Sequence, residues 1–212
     1  MPARQLDAVW SRPASEREGT PLLVLLHGYG STPERIMAAV QGLPPEFTLA
    51  APRGMLDVGG ERGWFLLDYF LVDDFAEVMA TTTSVQAWVN TVRGPHSSVS
   101  LLGFSQGMAL ATTLLRLTPD AYAAAVGLSG FVLESELLSL TENMPNRPAF
   151  FWGRDVEDVV IHPDAVSSTA EWLDEHTRLT ARTYPGMGHR IGAREVADAS
   201  VFLSHYVLRA PR

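Results

Sequence analysis

Residues 99–117 read VSLLGFSQGMALATTLLRL and place one serine, Ser105, between two glycines. An apolar, β-like run precedes the serine, and a run with helical spacing follows it. A tight joint between a strand and a helix strains its central residue, and side chains two positions away on either side would collide. Gly103 and Gly107 meet that requirement, so the stretch predicts a nucleophile elbow that presents the Ser105 hydroxyl. A glycine-rich helix start capped by serine is the alternative interpretation.

The rest of the chain repeats this alternation of apolar runs and helical patterns. Strands are predicted at residues 21–26, 47–51, 99–104, 123–128, 149–152 and 179–184, and helices at 34–42, 75–92, 106–117, 162–176 and 192–208. Strands that are apolar on both faces and separated by helices indicate a parallel sheet covered on two sides. Residues 5–10 are expected to add an antiparallel edge strand. We therefore expect a single doubly wound α/β domain over residues 1–212, with functional residues at the carboxyl ends of the strands.

The composition narrows the class of protein further. The chain is 46% hydrophobic and 19% charged, with a net charge of −8, which argues against a nucleic-acid partner and against an anionic membrane surface. It contains no cysteine, so disulfides, thiolate metal sites and cysteine nucleophiles are excluded. We find no signal-peptide core and no apolar run near the ~20 residues of a membrane span, so a cytoplasmic protein is expected. The oligomeric state stays open, with a homodimer among the alternatives.

A serine nucleophile requires a base, and in an elbow of this kind the chain order is serine, acid, histidine. His189 lies in PGMGHR directly after the last predicted strand, where the base is expected. The other histidines that follow the serine are His162, His176 and His205, which open or lie within helical patterns. We expect these three to be surface or packing residues.

Three acidic residues in the loop after residues 149–152 compete for the role of orienting carboxylate. They are Asp155, Glu157 and Asp158. The loop must return to the core after presenting its acid, and only Asp158 is followed directly by an apolar anchor, residues 159–161. Asp158 is therefore the preferred acid, with Asp155 the next alternative.

The HGYGS turn at residues 27–31 follows the first central strand and is the expected source of a second oxyanion donor. Its glycines leave the Tyr29 N–H free to point inward and join the Gln106 N–H as an oxyanion hole. His27 is expected to hold this turn. A dinucleotide-binding interpretation fails because the third glycine is missing, with Pro33 in its place. No zinc-type histidine pattern occurs, so neither a metal nor a cofactor is expected.

Residues 53–74 combine glycines with aromatic residues and fit no regular element. Trp64, Phe65 and Leu66 are candidates for substrate binding, with Tyr69 and Phe70 further along the same loop. The alternative is an irregular segment that packs its aromatic rings into the core.

Taken together, these motifs resemble the phospholipase/carboxylesterase family of serine hydrolases, which includes acyl-protein thioesterases and small bacterial carboxylesterases. The matching pieces are LLHGYGS, APRG followed by GWF, LLGFSQGMAL, GLSGF, the loop from Gly153 to Asp158, and YPGMGHRI. They span residues 22 to 191 in the family's order, and GFSQG is the most specific piece. The resemblance implies an α/β-hydrolase fold without a large cap domain.

By the same resemblance, Ser105, Asp158 and His189 form a catalytic triad, and the N–H groups of Tyr29 and Gln106 form the oxyanion hole. The implied reaction is hydrolysis of a small-molecule ester or acyl thioester. One departure concerns the acid: many members place it three residues after the loop glycine, a position held here by Val156. The alternatives are an inactive ligand-binding protein with this fold and the same triad used for lactone opening or perhydrolysis.

Overall fold

The computed structural model describes residues 6–67 and 75–209, and a seven-stranded sheet lies at its centre. The strands are β1 (Ala8–Trp10), β2 (Leu22–Leu26), β3 (Thr48–Pro52), β4 (Leu56–Val58), β5 (Glu61–Gly63), β6 (Val99–Phe104), β7 (Ala124–Leu128), β8 (Ala149–Arg154) and β9 (Arg178–Thr183). In the central sheet their order is β1-β3-β2-β6-β7-β8-β9, and β4 pairs with β5 in a separate hairpin. All neighbours in the central sheet are parallel except β1, which runs antiparallel to β3 at the edge.

Helices cover both faces of this sheet. They are α1 (Pro33–Ala39), α2 (Ala76–Val92), α3 (Gln106–Leu117), α4 (Glu136–Thr141), α5 (Pro163–His176) and α6 (Ala193–Leu203). One hydrophobic cluster packs α2, α3 and α5 against one face, for example through Val85 and Leu173. A second cluster packs α1 and α6 against the other face, through Ile36 and Phe202. Every residue of β2 and β7 is buried, which explains why these strands are apolar without alternation.

The predicted doubly wound sheet is confirmed, and the six predicted central strands and five predicted helices are present with ends shifted by a few residues. The edge strand is confirmed over Ala8–Trp10, while Gln5 lies outside the described residues. The last predicted helix, 192–208, ends as α6 and continues as a π-helical turn, Ser204–Leu208. Neither α4 nor the β4–β5 hairpin was expected.

The carboxyl ends of the parallel strands bring the predicted site residues to one edge of the sheet. Tyr29 follows β2, Ser105 follows β6, Asp158 follows β8 and His189 follows β9. This arrangement agrees with the expectation for a doubly wound sheet. Within the described ranges, no helix is both long and apolar enough to cross a membrane.

Candidate active site

Ser105 occupies the sharp turn between β6 and α3, with φ 53° and ψ −121°. A positive φ is costly for a residue with a side chain, so the surrounding structure must hold it. A Cβ atom on Gly103 would overlap the carbonyl of Gly107, and one on Gly107 would overlap the carbonyl oxygen of Leu26. The two glycines therefore let the strand, the turn and the helix approach each other closely enough to form the predicted elbow.

The structure brings Ser105, His189 and Asp158 into one hydrogen-bonded series. His189 Nε2 lies 3.0 Å from Ser105 Oγ, and His189 Nδ1 lies 2.8 Å from Asp158 Oδ2. With the Nδ1–H donating to the carboxylate, Nε2 is left to accept the hydrogen bond from the serine hydroxyl. The Phe104 ring packs against the imidazole, with a centroid separation of 5.1 Å. This geometry can transfer the serine proton to the imidazole and orient the resulting cation.

Of the three competing acids, Asp158 is the one that contacts His189. Asp155 instead has 1% exposure and accepts hydrogen bonds from the N–H groups of Gly188, at 2.6 Å, and of Glu157, at 3.0 Å. These N–H donors, that of Gly188 above all, lower the pKa of Asp155. Asp158 also accepts the Val160 N–H at 2.9 Å. Of the expected apolar anchor, residues 159–161, only Ile161 is buried, whereas Val159 and Val160 are 94% and 61% exposed.

The two expected oxyanion donors border the same cavity as Ser105 and His189, which has a volume of about 750 Å³. Gln106 is the first residue of α3, where backbone N–H groups have no partner within the helix. Tyr29 lies in the turn after β2. In the part of the chain that the structure describes, neither of these N–H groups donates a hydrogen bond. Both are therefore free to bind a developing negative charge on a substrate oxygen.

The Gln106 side chain has a structural role that the sequence did not predict. It is buried, its Oε1 accepts the Trp64 N–H at 2.9 Å, and its Nε2 donates to the Phe65 carbonyl at 2.6 Å. The residue after the serine thus fixes a segment more than forty positions earlier in the chain. No signal in the local sequence indicates this contact, because its partners lie more than forty positions apart.

The structure places Trp64 and Phe65 in the hydrophobic core, as in the alternative interpretation of this segment, and neither residue lines the cavity beside Ser105. Their side chains are only 1% and 0% exposed and belong to the hydrophobic core, because burying two large rings is more favourable than leaving them at a cavity wall. The Trp64 indole N–H also donates to the His27 carbonyl at 2.7 Å. Leu66 is 46% exposed, and the neighbouring Leu67 lines the cavity. Tyr69 and Phe70 lie outside the described residues.

His27 holds the turn after β2, as expected. It is fully buried, its Nδ1 pairs with the Gly28 carbonyl at 2.8 Å, and its Nε2 accepts the Gly54 N–H at 3.1 Å. Burial lowers the pKa of His27, and accepting a backbone N–H also requires an unprotonated Nε2. The imidazole is therefore neutral and serves as a bridge between two loops.

Several residues that line the cavity were not predicted from the sequence, because they lie far apart along the chain. They are Leu67, Phe131, Val160, Ile161, His162 and Ala165. His162 was expected to be a surface or packing residue; it caps α5 by accepting the Asp164 N–H at 3.3 Å and also borders the cavity. Within the two described ranges, no group of three or more His, Asp or Glu side chains is arranged to hold a metal ion.

A mostly parallel seven-stranded sheet with an elbow serine after its central strand β6 defines the α/β-hydrolase fold, here without a large cap domain in the described residues. The family model for phospholipase/carboxylesterase matches residues 13–207, so the chain belongs to that family. The resemblance inferred from the sequence motifs is thereby confirmed.

Solved structures with the same fold include several esterases. Esterase PE8 is 22% identical with a TM-score of 0.82, and the match covers 96% of this chain and 100% of that one. The Bacillus cereus carboxylesterase is 17% identical with a TM-score of 0.78, covering 95% and 94% of the two chains. At these identities the similarity establishes the fold.

Curated relatives match a shorter part of the chain. Acyl-protein thioesterase 1 of Debaryomyces hansenii is 30% identical over 112 residues, which cover 51% of this chain and 48% of the relative. The Candida albicans protein of the same name is 29% identical over 119 residues, covering 53% and 52%. The chain thus spans about half the length of the curated relatives it matches.

Proposed function

We propose that the protein is a serine hydrolase that cleaves carboxylic esters, and acyl thioesters as a second substrate class, through an acyl-enzyme. The observation that carries this proposal is the hydrogen-bonded series from Asp158 through His189 to Ser105 beside an open cavity. Membership of the phospholipase/carboxylesterase family supports the same reaction.

In the acylation step, His189 Nε2 removes the Ser105 proton while Oγ attacks the substrate carbonyl carbon. The carbonyl oxygen becomes an oxyanion and is bound by the N–H groups of Tyr29 and Gln106; loss of one such donor typically costs about 3 kcal/mol of transition-state stabilisation. Asp158 keeps the proton on Nδ1 and stabilises the imidazolium. When the tetrahedral intermediate collapses, His189 gives its proton to the leaving alcohol or thiol, and the acyl group stays on Ser105.

In the deacylation step, the same groups act on water. His189 accepts a proton from a water molecule as its oxygen attacks the acyl carbonyl, and the oxyanion is bound again by the two N–H groups. His189 then returns the proton to Ser105 Oγ, which releases the carboxylic acid and restores the free enzyme. Neither step requires a metal or an organic cofactor.

The cavity beside Ser105 suits an uncharged acyl or alcohol group. Its walls are mainly apolar, with Leu67, Phe131 and Ile161 among them. A hydrophobic wall binds alkyl groups by removing them from water, whereas a charged tail buried against it would lose its hydration. The relatives named acyl-protein thioesterase 1 are the reason for including thioesters in the proposal. The single-domain organisation, the cytoplasmic location and the homodimer stay predictions.

The test is hydrolysis of a graded series of nitrophenyl esters and acyl thioesters, together with labelling by a fluorophosphonate probe. The wild-type protein should turn over at least one series and become labelled at Ser105. Ser105→Ala should abolish both while the protein stays folded, as judged by circular dichroism. A folded wild-type protein that neither reacts with the probe nor hydrolyses any ester would instead be an inactive ligand-binding member of the fold.

The acid is tested by a pair of matched variants. Asp158→Asn removes the charge that orients His189 and should lower kcat on the order of 10³- to 10⁴-fold. Asp155→Asn leaves the Asp158 carboxylate that pairs with His189 unchanged and should cost far less. The reverse ranking would assign the role of the acid to Asp155.

A further inference from the structure

Asp155 is a buried carboxylate that joins the two loops on which the proposed acid and base are carried. It precedes Asp158 by three residues, immediately after β8, and is 1% exposed. One oxygen, Oδ1, accepts the Glu157 N–H within its own loop at 3.0 Å. The other, Oδ2, accepts the Gly188 N–H at 2.6 Å, one residue before His189. Asp155 thus contacts the backbone of the histidine loop, whereas Asp158 contacts the imidazole ring.

The histidine loop needs such an external contact. Gly186 and Gly188 have φ values of 79° and 66°, a region that glycine enters without strain and that leaves the loop free to take other conformations. Two backbone hydrogen bonds, from Met187 to Tyr184 and from Arg190 to Gly188, are internal to the loop. Internal bonds fix the shape of the loop but not its distance from the loop that carries the acid. Tyr184 N–H donates to the Arg154 carbonyl at the base of the two loops, at 2.9 Å, and the bond from Gly188 to Asp155 fixes the distance next to His189 itself.

We propose that Asp155 is a positioning residue: its carboxylate holds the Gly188 N–H and thereby places His189 within hydrogen-bonding distance of both Asp158 and Ser105. This role rests on the proposed function, because it concerns the base of the same triad. The effect on rate follows from geometry, since displacement of a reacting group by about 1 Å can cost 10²-fold in rate.

The charge of Asp155 contributes as well as its hydrogen bonds. The Gly188 and Glu157 N–H groups lower the pKa of Asp155, so the carboxylate is ionised at neutral pH. A buried negative charge next to the histidine loop is weakly screened and favours the imidazolium that forms when His189 takes the serine proton. Removing this charge should therefore move the acid limb of the kcat/KM profile to lower pH.

The variants Asp155→Asn and Asp155→Ala separate the charge from the hydrogen bonds. Asparagine keeps one oxygen for the Gly188 N–H but turns its NH₂ group toward the Glu157 N–H, so it loses the charge and one bond. Alanine loses both. The matched control is Glu157→Gln, which removes a charge from the same loop at an exposed side chain. We expect kcat to fall about tenfold in Asp155→Asn and about 10²-fold in Asp155→Ala, with KM of both variants within about threefold of wild type. In Glu157→Gln, kcat and KM should be unchanged.

A second readout does not depend on activity: the ¹H NMR resonance of the Nδ1 proton that His189 shares with Asp158, recorded on the full-length protein. The resonance should be sharp in wild type and Glu157→Gln, and broadened or lost in Asp155→Ala. If Asp155→Ala fails to fold, the near-isosteric Asp155→Asn tests the role of Asp155 instead. It should show a broadened resonance and an acid limb of the kcat/KM profile that is shifted to lower pH.

The role is refuted if folded Asp155 variants keep the wild-type resonance, kcat and pH profile. It is also refuted if Glu157→Gln changes the resonance, kcat and the pH profile as much as the Asp155 variants do. A wild-type protein with the resonance but without turnover of any ester would overturn the proposed function alone, and the resonance in the variants would still decide the role of Asp155.

Discussion

Glu195 is a fully buried acid whose ionisation should weaken the folded state, and its replacement by glutamine tests this directly. The residue lies in the first turn of α6 and is 0% exposed. Its Oε2 accepts the Gly192 N–H at 3.3 Å, while its Oε1 packs over Gly153 and has no hydrogen-bond partner among the described residues. Burial raises the pKa of Glu195 from its ordinary value of 4.5 to about 7. The folded protein therefore prefers the neutral carboxylic acid.

The sign of the stability effect follows from proton binding in the two states. Below pH 4.5 both the folded and the unfolded chain hold the Glu195 proton, and this contribution to stability is complete. As the pH rises toward about 7, the unfolded chain loses the proton while the folded chain keeps it, so the free energy of unfolding falls. The difference between 4.5 and about 7, at 1.36 kcal/mol for each pH unit, corresponds to about 3 kcal/mol. A glutamine does not titrate and escapes this loss.

The assay is urea unfolding of wild type and Glu195→Gln at a series of pH values from about 5 to 8, monitored by circular dichroism. The difference between their free energies of unfolding should move in favour of the variant by about 2.5 kcal/mol across this range, since part of the full shift falls below pH 5. Only this pH-dependent part is predicted, because the buried amide adds a constant offset. The exposed Glu171→Gln on α5 is the control and should show no such trend. A Glu195→Gln difference constant to within about 0.5 kcal/mol would refute a buried, neutral Glu195.

Two further substitutions test the elbow and the cavity. Gly107→Ala places a methyl group on the Leu26 carbonyl, so it should destabilise the fold by about 3 kcal/mol or more and remove turnover. The added methyl group of Gly94→Ala meets nothing within 4 Å, so this control should change stability by less than about 0.5 kcal/mol. Thermal unfolding compares the two, and equal melting temperatures would contradict the close contact. Ala165→Phe narrows the cavity and should lower kcat/KM more for long than for short nitrophenyl esters; an equal loss at every chain length would place Ala165 outside the acyl site.

The sheet was predictable because each central strand carries its own signal. β2 reads LLVLL, and all five of its residues are buried. An amphipathic helix or a half-exposed strand would include polar residues in a run of this length. The β4–β5 hairpin was missed although a signal was present, since Gly59 and Gly60, with φ values of 61° and 90°, separate its two strands. A Gly-Gly pair is typical of a two-residue hairpin turn, but three-residue strands show too little alternation to be recognised.

The positions of the proposed nucleophile and base were predictable from local sequence, whereas the packing argument for the acid holds only in part. Ser105 and His189 each follow a strand within a glycine-bearing loop, which a short window reveals. Choosing Asp158 over Asp155 relied on the apolar residues that follow Asp158. The structure brings Asp158 to His189, but of these residues only Ile161 is buried, while Val159 and Val160 are exposed. The environment of Trp64 was not predictable, because its burial depends on contacts with residues far away in the sequence.

Gln106 shows why such contacts escape a motif-based prediction. Its backbone N–H must remain without a partner to bind an oxyanion, while its side chain uses both polar atoms on Trp64 and Phe65. A residue with a shorter side chain could supply the N–H but would break the hydrogen bonds to the Trp64 N–H and the Phe65 carbonyl. An unsatisfied buried N–H such as that of Trp64 costs roughly 1–3 kcal/mol. Leu67 on the cavity wall follows this tethered segment by two residues. The identity of the residue after Ser105 is therefore constrained by the loop it holds as much as by the chemistry it serves.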